Sequence, residues 1–380
     1  MRYSLNEEQQ LLQDSAGRLL DLRSPVSAAR ALRDAADENG FSRELWSEVV
    51  KLGWSGILIP EALGGADLGY VAAGIIAEQC GRTLAALPFL STAVTAVTAL
   101  LQGGTTEQRQ SILPRIAAGE CLVALAIDEH PRHAPERIST SAVSERNGYR
   151  LSGQKIFVLD GNASDYLIVS ARLTDPGPDA GGSTALFLVE SARPGVEIER
   201  TLMIDSRNVA DIHLTDVRLT DEHRLSPERA GRQLLESALD AGRALLAAEL
   251  LGMARECLQR TTRYLCQRKQ FGRRLAEFQA LQHRLAHLFC EVELAASIAQ
   301  AACVAIQDNH EDLRTLVSAA KAKCGEVAML AADEALQMHG GIGMTDELDI
   351  GLFVKRIRSA NETYGDVTYH RDRVATQYGF

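Results

Sequence analysis

Tyr264-Leu265-Cys266-Gln267-Arg268-Lys269-Gln270-Phe271-Gly272, with Leu275 and Phe278-Gln279 shortly after it, lies just beyond a long stretch of helical period. An arginine there can fork its guanidinium onto two phosphate oxygens, Gln270 adds an amide, and Gly272 lets backbone approach a ligand closely. Taken alone, the same residues also describe a solvated helix end with Phe271 plugged into a core. Further along comes Gln337-Met338-His339-Gly340-Gly341-Ile342-Gly343. Its glycines permit positive φ and a run of exposed N–H groups, which is an anion-binding concavity. In isolation that stretch is equally a Gly-rich cap linking two helices.

Working outward from these segments, helical periodicity runs from about Leu234 past Leu265, from Phe278 to Gln307 and from Leu313 to Met338, lengths that suit a four-helix bundle. Upstream the character changes. Short apolar or β-branched runs at 122–127, 149–151, 156–159, 166–171, 185–189 and 212–214 are separated by Asn147-Gly148, Asp160-Gly161 and a mobile loop expected at 175–183. The first third is helical again, with periodic stretches at 6–23, 43–52, 71–81, 93–101 and 107–118, and Asn6 with Gln9 forms an expected capping box. The reading is therefore an α+β chain: an α-helical domain over 1–120, a β-barrel-like middle domain over 121–226 and a four-helix bundle over 227–380.

Composition narrows the function classes. The 380 residues are 46% hydrophobic and 24% charged, with a net charge of -10 and no long Lys/Arg block, so a nucleic-acid or anionic-membrane surface is not expected. Any anionic ligand must be held by local groups. Seven scattered cysteines without a C-x-x-C pair point to neither a disulfide framework nor a zinc ribbon, and they suit a reducing cytoplasm. No apolar leader or membrane-length apolar span stands out, so a cytoplasmic protein without membrane insertion is expected. His283 and His287 are spaced i, i+4 but lack an evident third ligand, and no metal site is expected.

Together the segments resemble the acyl-CoA dehydrogenase family. The likeness rests on R-x-Q-F-G at 268–272 with Tyr264, Leu275, Phe278 and Gln279, on Q-M-H-G-G-I-G at 337–343 in its expected place, and on the order α, β, α bundle. It implies FAD as cofactor and an acyl-CoA thioester as substrate. It also implies that Arg268, Gln270, Phe271, Phe278, Gln279, Gln337, Gly340 and Gly341 reach across a subunit interface to the pyrophosphate and adenosine half of a neighbour's FAD. Leu239-Asp240-Ala241-Gly242-Arg243 resembles the family's cleft segment, so Asp240 and Arg243 could meet CoA polar groups; an ordinary i, i+3 ion pair fits as well.

The departures are as informative as the matches. Removing a thioester α-proton needs a desolvated carboxylate beside a polarised carbonyl. Many members supply it as Glu in Y-E-G-T, and the ungapped equivalent here is Thr363-Tyr364-Gly365-Asp366, with Tyr364 at the Glu position. A phenol of ordinary pKa near ~10 is a poor base at neutral pH. The family's other position for this Glu is Gly242. The flavin loop T-E-P-x-A-G-S-D is replaced by Asp128-Glu129-His130-Pro131-Arg132-His133-Ala134, and W-I-T-N-G by Phe157-Val158-Leu159-Asp160-Gly161.

The expectation is a subunit that serves its neighbour's FAD and has lost its own site. It is closest to the small subunits of heterotetrameric members such as pimeloyl-CoA dehydrogenase and sterol side-chain dehydrogenases. A larger homologue would complete an α2β2 assembly, with electron-transfer flavoprotein as acceptor. Two alternatives remain: a self-associating enzyme using Asp366 as base, and a non-catalytic acyl-CoA-binding scaffold.

Overall fold

The computed structural model describes residues 5–174, 183–225 and 231–380. The loop expected at 175–183 falls, apart from Ser183, outside them. Helices α1 (Glu7–Arg23), α2 (Val26–Asp34), α3 (Arg43–Lys51), α4 (Gly69–Thr83), α5 (Val97–Gly103) and α6 (Thr106–Ala117) come first, with a π-helical turn pair, Phe89–Ala96, leading into α5. Strands β1 (Val123–Ala126), β2 (Ser141–Glu145), β3 (Gly148–Leu159), β4 (Tyr166–Thr174), β5 (Thr184–Glu190), β6 (Val196–Leu202), β7 (Asn208–Leu219) and β8 (Arg224–Leu225) follow. The remainder is α7 (Gly231–Gln267), the two-residue strands β9 (Lys269–Gln270) and β10 (Arg273–Arg274), α8 (Gln279–Gln307), α9 (Leu313–His339), α10 (Ile350–Glu362) and α11 (Val367–Gln377).

Two compact units divide this chain, and neither is one continuous stretch. One comprises Met1–Asp34, Tyr70–Ala86 and Arg243–Phe380; the other comprises Ala35–Gly69 and Leu87–Gly242. The fold class is α+β, with helical N-terminal, sheet-containing middle and helical C-terminal segments.

In the first unit α1 begins at the expected capping box: Asn6 Oδ1 accepts from the Gln9 amide at 2.8 Å, and Gln9 Oε1 accepts from the Asn6 amide at 3.1 Å. Helix α9 packs against α8, α10 and α11. Helices α4 and α7 meet at two glycines. A Cβ on Gly81 would lie 2.0 Å from the Glu249 carbonyl oxygen, and one on Gly252 would lie 1.9 Å from that of Glu78. Only glycine allows so close an approach.

Helix α8 departs from the expectation of no membrane-length apolar span. An 18-residue window of it reaches a mean hydropathy of 1.6, enough to cross a membrane by length and composition, and a third of that window is buried. Its Leu288, Val292, Ala295, Ala299 and Ala302 are buried, while Ala286, Phe289, Cys290 and Leu294 stay exposed.

The second unit is built on a sheet of order β6-β7-β3-β2-β4-β5-β8, with β1 pairing β4 in parallel. Leu151, Val169, Phe187, Ile212 and Leu214 form its core with several alanines. The runs at 149–151 and 156–159, read as separate strands, are parts of β3. Register shifts at Leu151/Gly153 and Lys155/Val158 interrupt its pairing with β7 without ending the strand. The second shift contains Phe157, at φ +53°, and the strand ends just before Asp160, at φ +56°. Bulges of this kind re-aim side chains.

Candidate dinucleotide-binding site

Arg268 follows the last turn of α7, its amide donating to the Tyr264 carbonyl at 2.8 Å. Strands β9 and β10 then pair as a hairpin, Gln270 opposite Arg273, around the two residues Phe271 (φ +52°) and Gly272 (φ +77°). Two positive φ values are the signature of the tight hairpin turn whose twist matches its strands. Glycine takes this conformation freely; an aromatic residue does not. Yet Phe271 is 88% exposed, so the core-plug reading of this residue is excluded. The strained position gains nothing from burial. The Phe278 ring meets Phe271 edge-on at 6.2 Å, and the Arg273 guanidinium carbon stands 4.0 Å from the Phe278 ring centre. Arg268, Gln270 and Gln279 are exposed beside them.

The glycine segment closes α9. Gln337 lies exposed in the last turn, and its carbonyl accepts from the Gly340 amide. Gly340 adopts φ +68°, ψ −145°, a combination open essentially to glycine alone. A Cβ on either Gly340 or Gly341 would meet nothing within 4 Å. The absence of side chains at these two positions therefore serves no internal packing. It leaves open backbone, as an anion cradle requires.

The two segments are physically coupled. The Tyr264 ring stacks on that of His339, with centroids 4.3 Å apart, and the Tyr264 hydroxyl donates to the His339 carbonyl at 3.4 Å. His339 Nδ1 faces the Ala335 carbonyl at 2.7 Å, and since a carbonyl only accepts, Nδ1 carries the proton. Burial holds the His339 pKa below its ordinary value, which favours that neutral tautomer. Neither His339 nor Tyr264 was singled out as a coupler in the sequence, because the contact joins positions 75 residues apart.

The catalytic candidates sit elsewhere in the same unit. Helix α10 ends before Tyr364, which is buried and left-handed at φ +57°. Its carbonyl accepts from Arg243 Nε at 3.2 Å and from His370 Nε2 at 3.1 Å. Arg243 is fully buried, and it also donates to the Tyr369 hydroxyl at 3.1 Å. A guanidinium so engaged is a support for the turn, and this argues against the direct CoA contact expected of it. Asp240, which belongs to the other unit, is buried too. Lys321, also buried, donates to the carbonyls of Asn361 at 2.9 Å and Gly365 at 3.0 Å. Burial, reinforced by the Arg243 charge, pulls its pKa down to about 7. Asp366 is the N-cap of α11, its carboxylate accepting the Tyr369 amide at 2.7 Å. Sequence reasoning named the carboxylate but not its capping role.

In the other unit, the residues that the resemblance sets against the family's flavin loop and strand are engaged with neighbouring groups. Asp128 takes the His133 imidazole at 2.9 Å. Glu129 accepts from Lys155 Nζ at 2.7 Å and from the Thr140 amide at 3.0 Å. Lys155 also donates to the Ile127 carbonyl and to the Ser170 hydroxyl. Burial lowers the Lys155 pKa to about 8 against the opposing pull of Glu129. Burial would raise Glu129, but Lys155 together with the hydrogen bonds from Thr140 and Ser139 outweighs it and holds the carboxyl below its usual range. The Leu159 side chain offers no hydrogen bond, and Asp160 accepts from the Ser91 hydroxyl at 2.5 Å. Among the described residues there is no cluster of three or more His, Cys, Asp or Glu able to hold a metal ion.

Comparison with known proteins shows the family. The acyl-CoA dehydrogenase N-terminal, middle and C-terminal domains match residues 6–120, 131–217 and 229–379. An acyl-CoA dehydrogenase of Bacillus subtilis (strain 168) is 30% identical over 327 residues, covering 84% of this chain and 85% of its own. A chain of a variant of the Tcur3481-Tcur3483 steroid ACAD superposes with TM-score 0.88 at 30% identity, covering 99% of each chain. A chain of the ChsE4-ChsE5 complex from Mycobacterium tuberculosis does so with TM-score 0.90 at 24% identity, over 100% of this chain and 99% of that one, a likeness of fold. The chain belongs to the acyl-CoA dehydrogenase family. It is an oxidoreductase acting on acyl-CoA, with FAD as cofactor.

Proposed function

We propose that this chain is the base-lacking subunit of a hetero-oligomeric, FAD-dependent acyl-CoA dehydrogenase. Its hairpin and glycine turn serve the pyrophosphate and adenosine half of a flavin whose ring lies in a larger homologous partner. When bound, FAD supplies the acceptor for the hydride removed from the acyl chain. Arg268 and Gln270 would hold phosphate, Gly341 would offer its backbone N–H, Gly340, whose own N–H caps α9, would leave the approach open, and Phe271, Phe278, Gln279 and Gln337 would border the nucleotide.

The observation that carries this reading is Phe271. An aromatic side chain in a left-handed hairpin tip stays almost wholly exposed, touched in this chain by the edge contact with Phe278, so its own chain buries little of it. The buried Tyr364 at the Glu position and the absence of polar atoms on the Leu159 side chain support the same view. So does the exposed apolar face of α8, whose Phe289 and Leu294 suit burial against another subunit. The names of two structural relatives, Tcur3481-Tcur3483 and ChsE4-ChsE5, each join two proteins. Electron-transfer flavoprotein is the proposed acceptor, and the cytoplasm the proposed location.

The test is the visible spectrum of the chain purified alone, with FAD added and the excess removed. A colourless protein that gains flavin only with a larger homologue bearing the Glu is the expected result. Near-stoichiometric flavin bleached by an acyl-CoA would overturn it in favour of self-association with Asp366 as base.

A further inference from the structure

The segment from Gly340 to Asp349 lies largely at the surface. Gly340, Gly341, Ile342 and Met344–Glu347 are exposed. Gly340–Met344 forms one short 3-10 helix in which Gly343 is buried, and at its end the Thr345 amide and hydroxyl donate to the Ile342 carbonyl at 3.1 and 2.8 Å. A cradle for a phosphate must nevertheless keep its shape before the ligand arrives, or ordering it subtracts from affinity.

We propose that Asp346 and Asp349 are positioning residues that hold the glycine turn in its ligand-receiving shape through ion pairs with Arg30, Arg33 and Arg260. This rests on the reading that the turn grips the pyrophosphate of FAD.

Arg33 takes Asp346 in a two-pronged grip, Nη1 to Oδ1 at 2.7 Å and Nη2 to Oδ2 at 2.8 Å. Arg30 bridges both acids, reaching Asp346 at 2.7 Å and Asp349 at 3.1 Å. Arg260 takes the other oxygen of Asp349 at 2.8 Å and is itself steadied by Glu256 at 2.8 Å, one turn back on α7. One turn forward on the same helix is Tyr264, stacked on His339 at the opposite end of the glycine turn. The turn is thus tied at its entrance by an aromatic stack and at its exit by three guanidiniums. Isolated surface ion pairs contribute little, but forked geometry and a shared network are the circumstances in which they do. Hydrogen bonds from Arg33 first, and then Arg30, keep the Asp346 carboxyl well below the usual carboxylate range. Because Asp346 remains 64% exposed, its attraction is open to screening, and salt should loosen the turn.

The test has two arms. In the full chain without FAD, hydrogen exchange is followed for peptides covering 340–349 and, as an internal control, 313–335. D346N and R33Q are each expected to speed exchange in 340–349 by about threefold to fivefold at low salt, with the double variant no faster than the worse single one. D346E should stay near wild type, 0.5 M salt should erase the difference, and the control peptide should not respond. Unchanged exchange in D346N, or strictly additive effects, would overturn the clamp. In whatever assembly retains flavin, D346N should weaken FAD binding about as much as it loosens the turn. If R268A weakens FAD and D346N does not, the clamp has no bearing on the ligand and the proposal is overturned. If neither does, the assignment of both segments to FAD is lost and the proposal falls with it.

Discussion

At the scale of single residues, the turn at 363–366 separates two kinds of carboxylate. Asp366 is within two positions of the family's Glu, but its oxygen caps α11. Asparagine caps a helix about as well as aspartate, whereas alanine does not. D366N should therefore leave both stability and the activity of the assembled enzyme close to wild type, while D366A should lower unfolding free energy by about 1 kcal/mol in a urea titration. Loss of turnover in D366N with an unchanged urea midpoint would instead identify Asp366 as the base. Tyr364 and Arg243 show why the sequence could name the vacancy but not its filling. A substitution is visible in one dimension; the guanidinium that clamps the Tyr364 carbonyl comes from 121 positions away.

At the scale of elements, the two glycines of the turn do different work. Gly340 needs its backbone angles, whereas Gly341, at ordinary φ, leaves space only. G340A should destabilise the chain by about 1 kcal/mol or more, since alanine disfavours that conformation. G341A should leave the thermal midpoint within experimental error and yet reduce flavin retention in the assembly. Equal stability losses in both would mean that the turn is structural. The element-level reading from sequence was good where periodicity was strong, in α1, α7, α8 and α9. It passed over α2, β2 and β6. The β6 sequence Val196-Glu197-Ile198-Glu199-Arg200-Thr201-Leu202 alternates charge with apolar groups on a partly exposed edge strand, where no continuous apolar run forms. Of the π-helical Phe89–Ala96, residues 93–96 were read as the start of an α-helix and 89–92 were passed over, because a change of helical pitch leaves no composition signal.

At the scale of the whole molecule, two buried lysines give stability a pH dependence whose sign is fixed. Lys321 and Lys155 have folded pKa values of about 7 and about 8, below the ordinary 10.5. Between those values and 10.5 the unfolded chain binds more protons than the folded one. Stability contributed by these groups must rise with pH across that window and be flat from them below it. The difference in unfolding free energy between wild type and K321M, followed from pH 6 to pH 10, should grow in favour of the wild type as pH rises above about 7. A difference independent of pH would show that Lys321 is not charged differently in the two states. Comparing differences removes the background from a chain of net charge -10.

The sequence by itself was enough for the family and the α+β class, and through the resemblance for the flavin and for Tyr364 at the family's Glu position, because these rest on apolar period and short motifs. The tertiary structure decided which charges are free. Arg243 is spent on a backbone carbonyl, Asp366 on a helix cap and Asp346 on an arginine 313 positions away. It also decided that Phe271 faces solvent rather than core. Pairing and exposure are properties of distance in space, and a charged side chain reads the same in sequence whether it is engaged or open to a ligand.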